Sequence, residues 1–116
     1  MVKRYTPCAG DVVWLDFDPQ AGHEHNKRRP AVVISPREYN ALPFSLMICC
    51  PTTTQIKGYP WEVEITGTRE PSVALADQIK NLDWKARKAE FIGKVTAEEL
   101  EEIRGKAISL IRPDTE

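Results

Sequence analysis

The 116-residue chain lacks most of the features that mark out a membrane protein or a common hydrolase. No apolar run approaches the roughly 20 residues needed to cross a bilayer, so no membrane span is expected. Its three cysteines, two of them adjacent at Cys49 and Cys50, form neither an even disulfide set nor a CxxC pair, and no Cys/His spacing suggests zinc. The expectation is reduced, mostly buried thiols. No glycine-rich phosphate loop and no Gly-x-Ser-x-Gly elbow is present, which leaves most nucleotide-binding and serine-hydrolase mechanisms without residues. The formal net charge of −1 gives no bulk signature of nucleic-acid binding. Lys3 and Arg4 are followed by no apolar stretch before Gly10 and Asp11, so a cytoplasmic chain without a signal peptide is expected. Repeats, low-complexity tracts and linkers are absent, and a chain of this length holds one domain, 1–116, with one core.

What is present is a regular succession of strand-like segments. Asp11–Asp18 is rich in β-branched and aromatic residues between Gly10 and Pro19 and predicts a first strand. A polar loop follows, and Pro30–Ile34 predicts a second, largely buried strand. Ser35-Pro36-Arg37-Glu38 has the pattern of a capping box and predicts a short helix to about Leu42. Ser45–Cys50 predicts a central strand that ends at Pro51 and Thr52–Thr54. Trp61–Thr66 alternates at period two, as a strand with one wet face does. Ser72–Lys80 predicts a further strand with polar residues towards its end, residues 81–87 a helical turn around Trp84, and Lys88–Val95 the last strand. Thr96 and Glu99 form a second capping box, ahead of Leu100, Ile103, Ala107, Leu110 and Ile111 at helical spacing. The architecture is a mainly β, α+β fold: a bent antiparallel sheet or open barrel with short helices and a C-terminal amphipathic helix.

Chemistry concentrates in Gly22-His23-Glu24-His25-Asn26-Lys27-Arg28-Arg29-Pro30. Two imidazoles, a carboxylate and three cations stand together on the loop into the second strand. RNA cleavage suits such a set without a metal or cofactor, because the substrate brings its own nucleophile. The 2′-hydroxyl attacks the adjacent phosphate if a base removes its proton, an acid protonates the departing 5′-oxygen, and donors stabilise the dianionic intermediate. Glu24, His23 and His25 are acid and base candidates, Arg29 is a bidentate phosphate donor, and the hydroxyls of Thr52, Thr53 and Thr54 can donate to the phosphate. The same residues also read as a solvated loop with Arg29 paired to a carboxylate, and Trp14, Trp61 and Trp84 read as core more readily than as platforms on which bases stack.

Four blocks add a resemblance. Gly10–Pro19, Arg29-Pro30-Ala31-Val32-Val33-Ile34-Ser35-Pro36, Thr53-Thr54-Gln55 with Lys57-Gly58-Tyr59-Pro60, and Val73–Lys80 resemble the MazF/PemK family of toxin endoribonucleases in order, spacing and content, from Arg4 to about Ile111. The resemblance implies the toxin of a type II toxin–antitoxin pair, with an SH3-like small barrel of the CcdB/Kid/MazF type. It implies a homodimer that cleaves single-stranded mRNA at short sequences, without a metal, to 2′,3′-cyclic phosphate and 5′-hydroxyl ends. The family's key arginine and threonine fall on Arg29 and Thr53, and its loop glutamate on Glu24.

On that resemblance Arg29 and Thr53 bind and stabilise the phosphate, Arg29 being also the candidate acid and Glu24 the candidate base or loop organiser. His23, His25, Lys27, Arg28, Thr52, Thr54, Gln55, Lys57, Asp77, Gln78 and Lys80 are the expected RNA-binding residues, where unpaired bases are read on their edges. A cognate, MazE-like antitoxin with an acidic, extended segment is expected to cover the same surface. The rival readings are a CcdB-like gyrase poison, for which the stretch from Ile111 lacks a tryptophan, and an SH3-like binding module without chemistry.

Overall fold

Three neighbouring strands carry the fold, and each divides its side chains between two buried faces. They are β1 (Asp11–Asp16), β2 (Arg28–Val33) and β3 (Leu46–Thr53), all antiparallel, in a computed structural model that describes residues 4–17 and 28–112. Val12, Val32 and Cys50 enter one core cluster with Val63, Ile65, Ala74 and Ile103. Val13, Leu15, Ala31, Val33, Met47 and Cys49 enter a second, with Trp84. A strand covered on both faces reads as an unbroken apolar run, which is why 31–34 and 46–50 lack alternation.

The remaining elements are α1 (Arg37–Asn40), β4 (Glu62–Ile65), β5 (Ser72–Leu75), β6 (Lys80–Asp83), β7 (Glu90–Lys94) and α2 (Ala97–Ile111). The sheet runs β4-β5-β3-β2-β1-β7, with β6 also paired to β3. One edge of β3 is shared: β6 takes Leu46–Cys49 and β5 takes Thr52–Thr53, with Pro51 lying at the change of partner. Dividing one edge between two strands curls the sheet. At its far side β7 returns to the turn after β4, where a Cβ on Gly67 would collide with the Lys94 carbonyl and one on Gly93 with the Gly67 carbonyl. Backbone passes backbone there, so only glycine fits. The result is the expected small, curled antiparallel half-barrel with a C-terminal helix.

The capping box of α2 forms in full: the Thr96 hydroxyl accepts from Glu99 N at 3.0 Å, and the Glu99 carboxylate accepts from Thr96 N at 2.9 Å. Ile103 and Ala107 bury against the sheet, and the Arg104 guanidinium donates twice to the Ile34 carbonyl, at 3.1 and 2.6 Å. The helix is thereby tied to the end of β2.

Several expected boundaries move, each for a physical reason. β2 begins at Arg28, so both arginines expected on a loop lie on a strand, opposite Asp16 and Leu15 of β1. β3 runs on to Thr53 because β5 pairs with Thr52 and Thr53. The capping box expected at Ser35 and Glu38 is not made, and Pro36 caps a single helical turn. Ser35 Oγ instead donates to Asn40 Oδ1 at 2.6 Å and accepts from Ile48 N at 2.8 Å. β5 ends at Leu75, and Asp77 and Gln78 follow it in a turn rather than on a strand. The helical turn expected at 81–87 is half strand: Lys80–Asp83 fills the open edge of β3, and the turn begins only at Trp84, whose indole donates to the Asn40 carbonyl at 2.9 Å. Among the described residues no helix is long and apolar enough to cross a membrane.

Candidate active site

Arg29 and Thr53 reach the same place from adjacent strands. The β2–β3 ladder pairs Ala31 with Pro51, and one two-residue step further along it sets Arg29 towards Thr53. Both line a hollow of about 180 Å³ together with Gln55, Lys57, Tyr59, Glu62, Leu75, Asp77 and Gln78. Four segments therefore converge: the start of β2, the end of β3 with the loop behind it, the start of β4, and the end of β5 with the turn after it.

Local chemistry leaves donors facing this hollow. The Thr53 hydroxyl accepts the Gln55 N–H at 3.0 Å, a turn that threonine favours. A hydroxyl that accepts one bond keeps its own proton, so it can donate to an anionic oxygen. The Arg29 guanidinium carbon stands 5.3 Å from the centroid of the Phe17 ring. Such a contact engages the guanidinium face and none of its N–H groups, which remain suited to a phosphate. Lys57 adds a second cation, and Asp77 and Gln78, both exposed, line the same hollow. A carboxylate accepts only and an amide does both, so these two can read the edge of a base.

Other expected site residues go elsewhere. The guanidinium of Arg28 donates to Asp16 Oδ1 at 3.0 Å, to the Lys88 carbonyl at 3.0 Å and to Glu90 Oε1 at 3.4 Å. It joins β1 to the start of β7 and the segment before it, and does not line the hollow. Period two then separates the threonines. Thr52 is buried, and its hydroxyl donates to the Pro30 carbonyl at 3.3 Å. Thr54 lines a different groove, of about 470 Å³, with Trp14, Pro30 and Ile92. Lys80 is exposed on β6 opposite Cys49 and does not line the hollow. His23, Glu24, His25 and Lys27 lie outside the described residues.

Three lining residues, Tyr59, Glu62 and Leu75, were not among the expected site residues. The signals existed: Tyr59 stands in the Lys57-Gly58-Tyr59-Pro60 block that carries the family resemblance, and Glu62 sits on the wet face of an alternating strand. The cysteines take no part. Burial pushes the thiols of Cys49 and Cys50 up to about 12, so both stay protonated and act as apolar filling. Among the described residues no group of three or more His, Cys, Asp or Glu could hold a metal ion.

Residues 9–111 match the family of PemK-like, MazF-like toxins of type II toxin–antitoxin systems. This chain belongs to that family. It is 50% identical over 111 residues to the endoribonuclease toxin MazF of Escherichia coli strain K12, covering 96% of this chain and 99% of the relative. Among solved structures, MazF from Deinococcus radiodurans is similar with a TM-score of 0.82 and 48% identity, over 93% of this chain and 98% of that one. A MazE–MazF structure from the same organism has a TM-score of 0.79 and 42% identity, over 93% and 97%. The half-barrel is thus the MazF fold, and the hollow of Arg29 and Thr53 is a feature of a MazF-family toxin.

Proposed function

We propose that this chain, an endoribonuclease toxin of a type II toxin–antitoxin system, cuts single-stranded mRNA at the hollow between β2 and β3. The observation that carries the reading is that Arg29 and Thr53 line one hollow, the Thr53 hydroxyl accepting a backbone N–H and so keeping its own proton for a phosphate oxygen. The 2′-oxygen of one nucleotide attacks the adjacent phosphorus, and the P–O5′ bond breaks. The products are a 2′,3′-cyclic phosphate and a 5′-hydroxyl. The 2′ proton passes to a base, for which Glu24 is the candidate, and a proton is delivered to the leaving 5′-oxygen, for which Arg29 is the candidate. Arg29 and Thr53 stabilise the charge that builds on the phosphoryl oxygens.

Lys57, Gln55, Asp77 and Gln78 border the same hollow and form the walls against which unpaired bases are read. His23, His25 and Lys27 belong to the rim of the site on this reading. The toxin works as a homodimer in the cytoplasm. Its antitoxin, MazE-like, covers the cationic surface with an acidic, extended segment and inhibits by occupancy. The test is to incubate the purified chain with a long single-stranded RNA in EDTA and map the fragment ends. Fragments with cyclic phosphate and 5′-hydroxyl termini are expected, and RNA left intact by excess protein would refute the reading.

A further inference from the structure

We propose that Glu62 is a positioning residue of this site, folding the 55–60 segment into the wall that presents Lys57 and Tyr59. The inference rests on the reading of the hollow as the RNA-cleaving site. β4 alternates, so Val63 and Ile65 enter the core while Glu62 and Glu64 turn outward. The two glutamates then differ. Glu64 is exposed, whereas the Glu62 carboxylate turns back onto the preceding loop, accepting Lys57 N at 3.1 Å and Gly58 N at 2.9 Å.

Two consecutive backbone N–H groups aimed at one anion form a nest, and such a nest calls for a residue in the left-handed region. Gly58 supplies it, with φ of +85°. The loop has no regular strand pairing of its own, and its two ends are fixed separately. Gln55 N is held by the Thr53 hydroxyl at 3.0 Å, Glu62 N donates to the Tyr59 carbonyl at 3.1 Å, and Lys106 of α2 donates to the Pro60 carbonyl. The carboxylate of Glu62 holds the middle. Because it satisfies the backbone of Lys57 while Lys57 itself lines the hollow, the ammonium is kept for the substrate. The Gln55 end of the loop is held by the Thr53 hydroxyl independently of Glu62, so the carboxylate shapes the wall and leaves the donor in place.

Two substitutions in the full-length chain test this beside Arg29→Ala. Glu62→Gln removes the charge at nearly constant volume. Gly58→Ala adds a methyl that meets no atom within 4 Å, so it acts only through the backbone angle. Amide hydrogen exchange at residues 57 and 58 should accelerate roughly tenfold in both variants, as expected for loss of a charge-assisted bond. The KM for single-stranded RNA should rise by a similar factor, with kcat within about twofold, as for a lost binding contact. Unchanged exchange or unchanged KM in both variants, with Arg29→Ala crippled, would overturn the proposal. Normal cleavage by Arg29→Ala would instead sink the underlying reading of the hollow, and the two failures are told apart because the exchange rates are measured without RNA.

Discussion

Two clusters of charge lie on this small barrel, and they differ in where their hydrogen bonds end. Around Asp11 the bonds close internally: its buried carboxylate accepts the Tyr5 hydroxyl at 2.6 Å, Cys8 N at 2.9 Å and the Lys94 ammonium at 2.8 Å. Around Arg29 and Thr53 the donors converge on an open hollow. The adjacent arginines make the same contrast within one strand, since Arg28 is bound to Asp16 and Glu90 while Arg29 lies over Phe17 and lines the hollow. A charge whose partners are internal holds the fold. A donor aimed into a hollow waits for a ligand.

Substitution should separate the two clusters cleanly. The largest effect is expected at the hollow, where Arg29→Ala and Thr53→Ala each lower RNA cleavage roughly 10²- to 10³-fold, as removal of a preorganised donor does. Their thermal midpoints should stay close to wild type, and a matching loss of stability would merge the two clusters. Asp11→Asn should do the reverse. It leaves three donors facing an amide, and the expected loss is about 3 kcal/mol in denaturant unfolding, with cleavage per folded molecule unchanged.

The alkaline limb of stability sharpens the same distinction. Burial above all, then the bond to Asp11, raises the Tyr5 hydroxyl above its usual range, and the bond to Asp11 raises the Lys94 ammonium. The thiols of Cys49 and Cys50 rise from 9.0 to about 12. Each group keeps its proton longer in the folded state than in the unfolded chain. Their stabilisation is therefore complete below pH 9 and is lost as pH rises towards 12, because the unfolded chain releases these protons first. Melting temperature should fall progressively above pH 9, less steeply in Asp11→Asn, and a flat profile to pH 11 would contradict this. The smallest effect is expected at Arg28. Its pair with Asp16 is partly buried and its pair with Glu90 exposed, so Arg28→Ala should cost about 1 kcal/mol in unfolding, with little change in cleavage; a loss of cleavage as deep as that of Arg29→Ala would return Arg28 to the candidate site.

Sequence patterns gave away the parts of the molecule governed by local rules. The unbroken apolar runs at 31–34 and 46–50 revealed strands covered on both faces, and Thr96 with Glu99 revealed the start of α2. Long-range pairing stayed hidden. Nothing near Lys80–Asp83 announces that the open edge of β3 will draw it into a strand, and Ser35 abandons its helix for Asn40 and Ile48 only in three dimensions. The site followed the same division. The family resemblance picked out Arg29 and Thr53, which line one hollow, but the fates of Arg28, Thr52 and Thr54 depend on register, which decides the side each residue faces. Glu62 was missed because a polar residue on an alternating strand reads as solvated until its loop folds back onto it.

On the proposed mechanism the substrate's own 2′-oxygen is the nucleophile at the hollow of Arg29 and Thr53. This is tested most directly with a single-stranded RNA carrying 2′-deoxyribose only on the 5′ side of the cleaved bond, beside the all-ribose strand. The all-ribose strand should be cut to a 2′,3′-cyclic phosphate and a 5′-hydroxyl while the substituted strand stays intact at that bond. Cleavage of the substituted strand at the same position and a comparable rate would contradict the account.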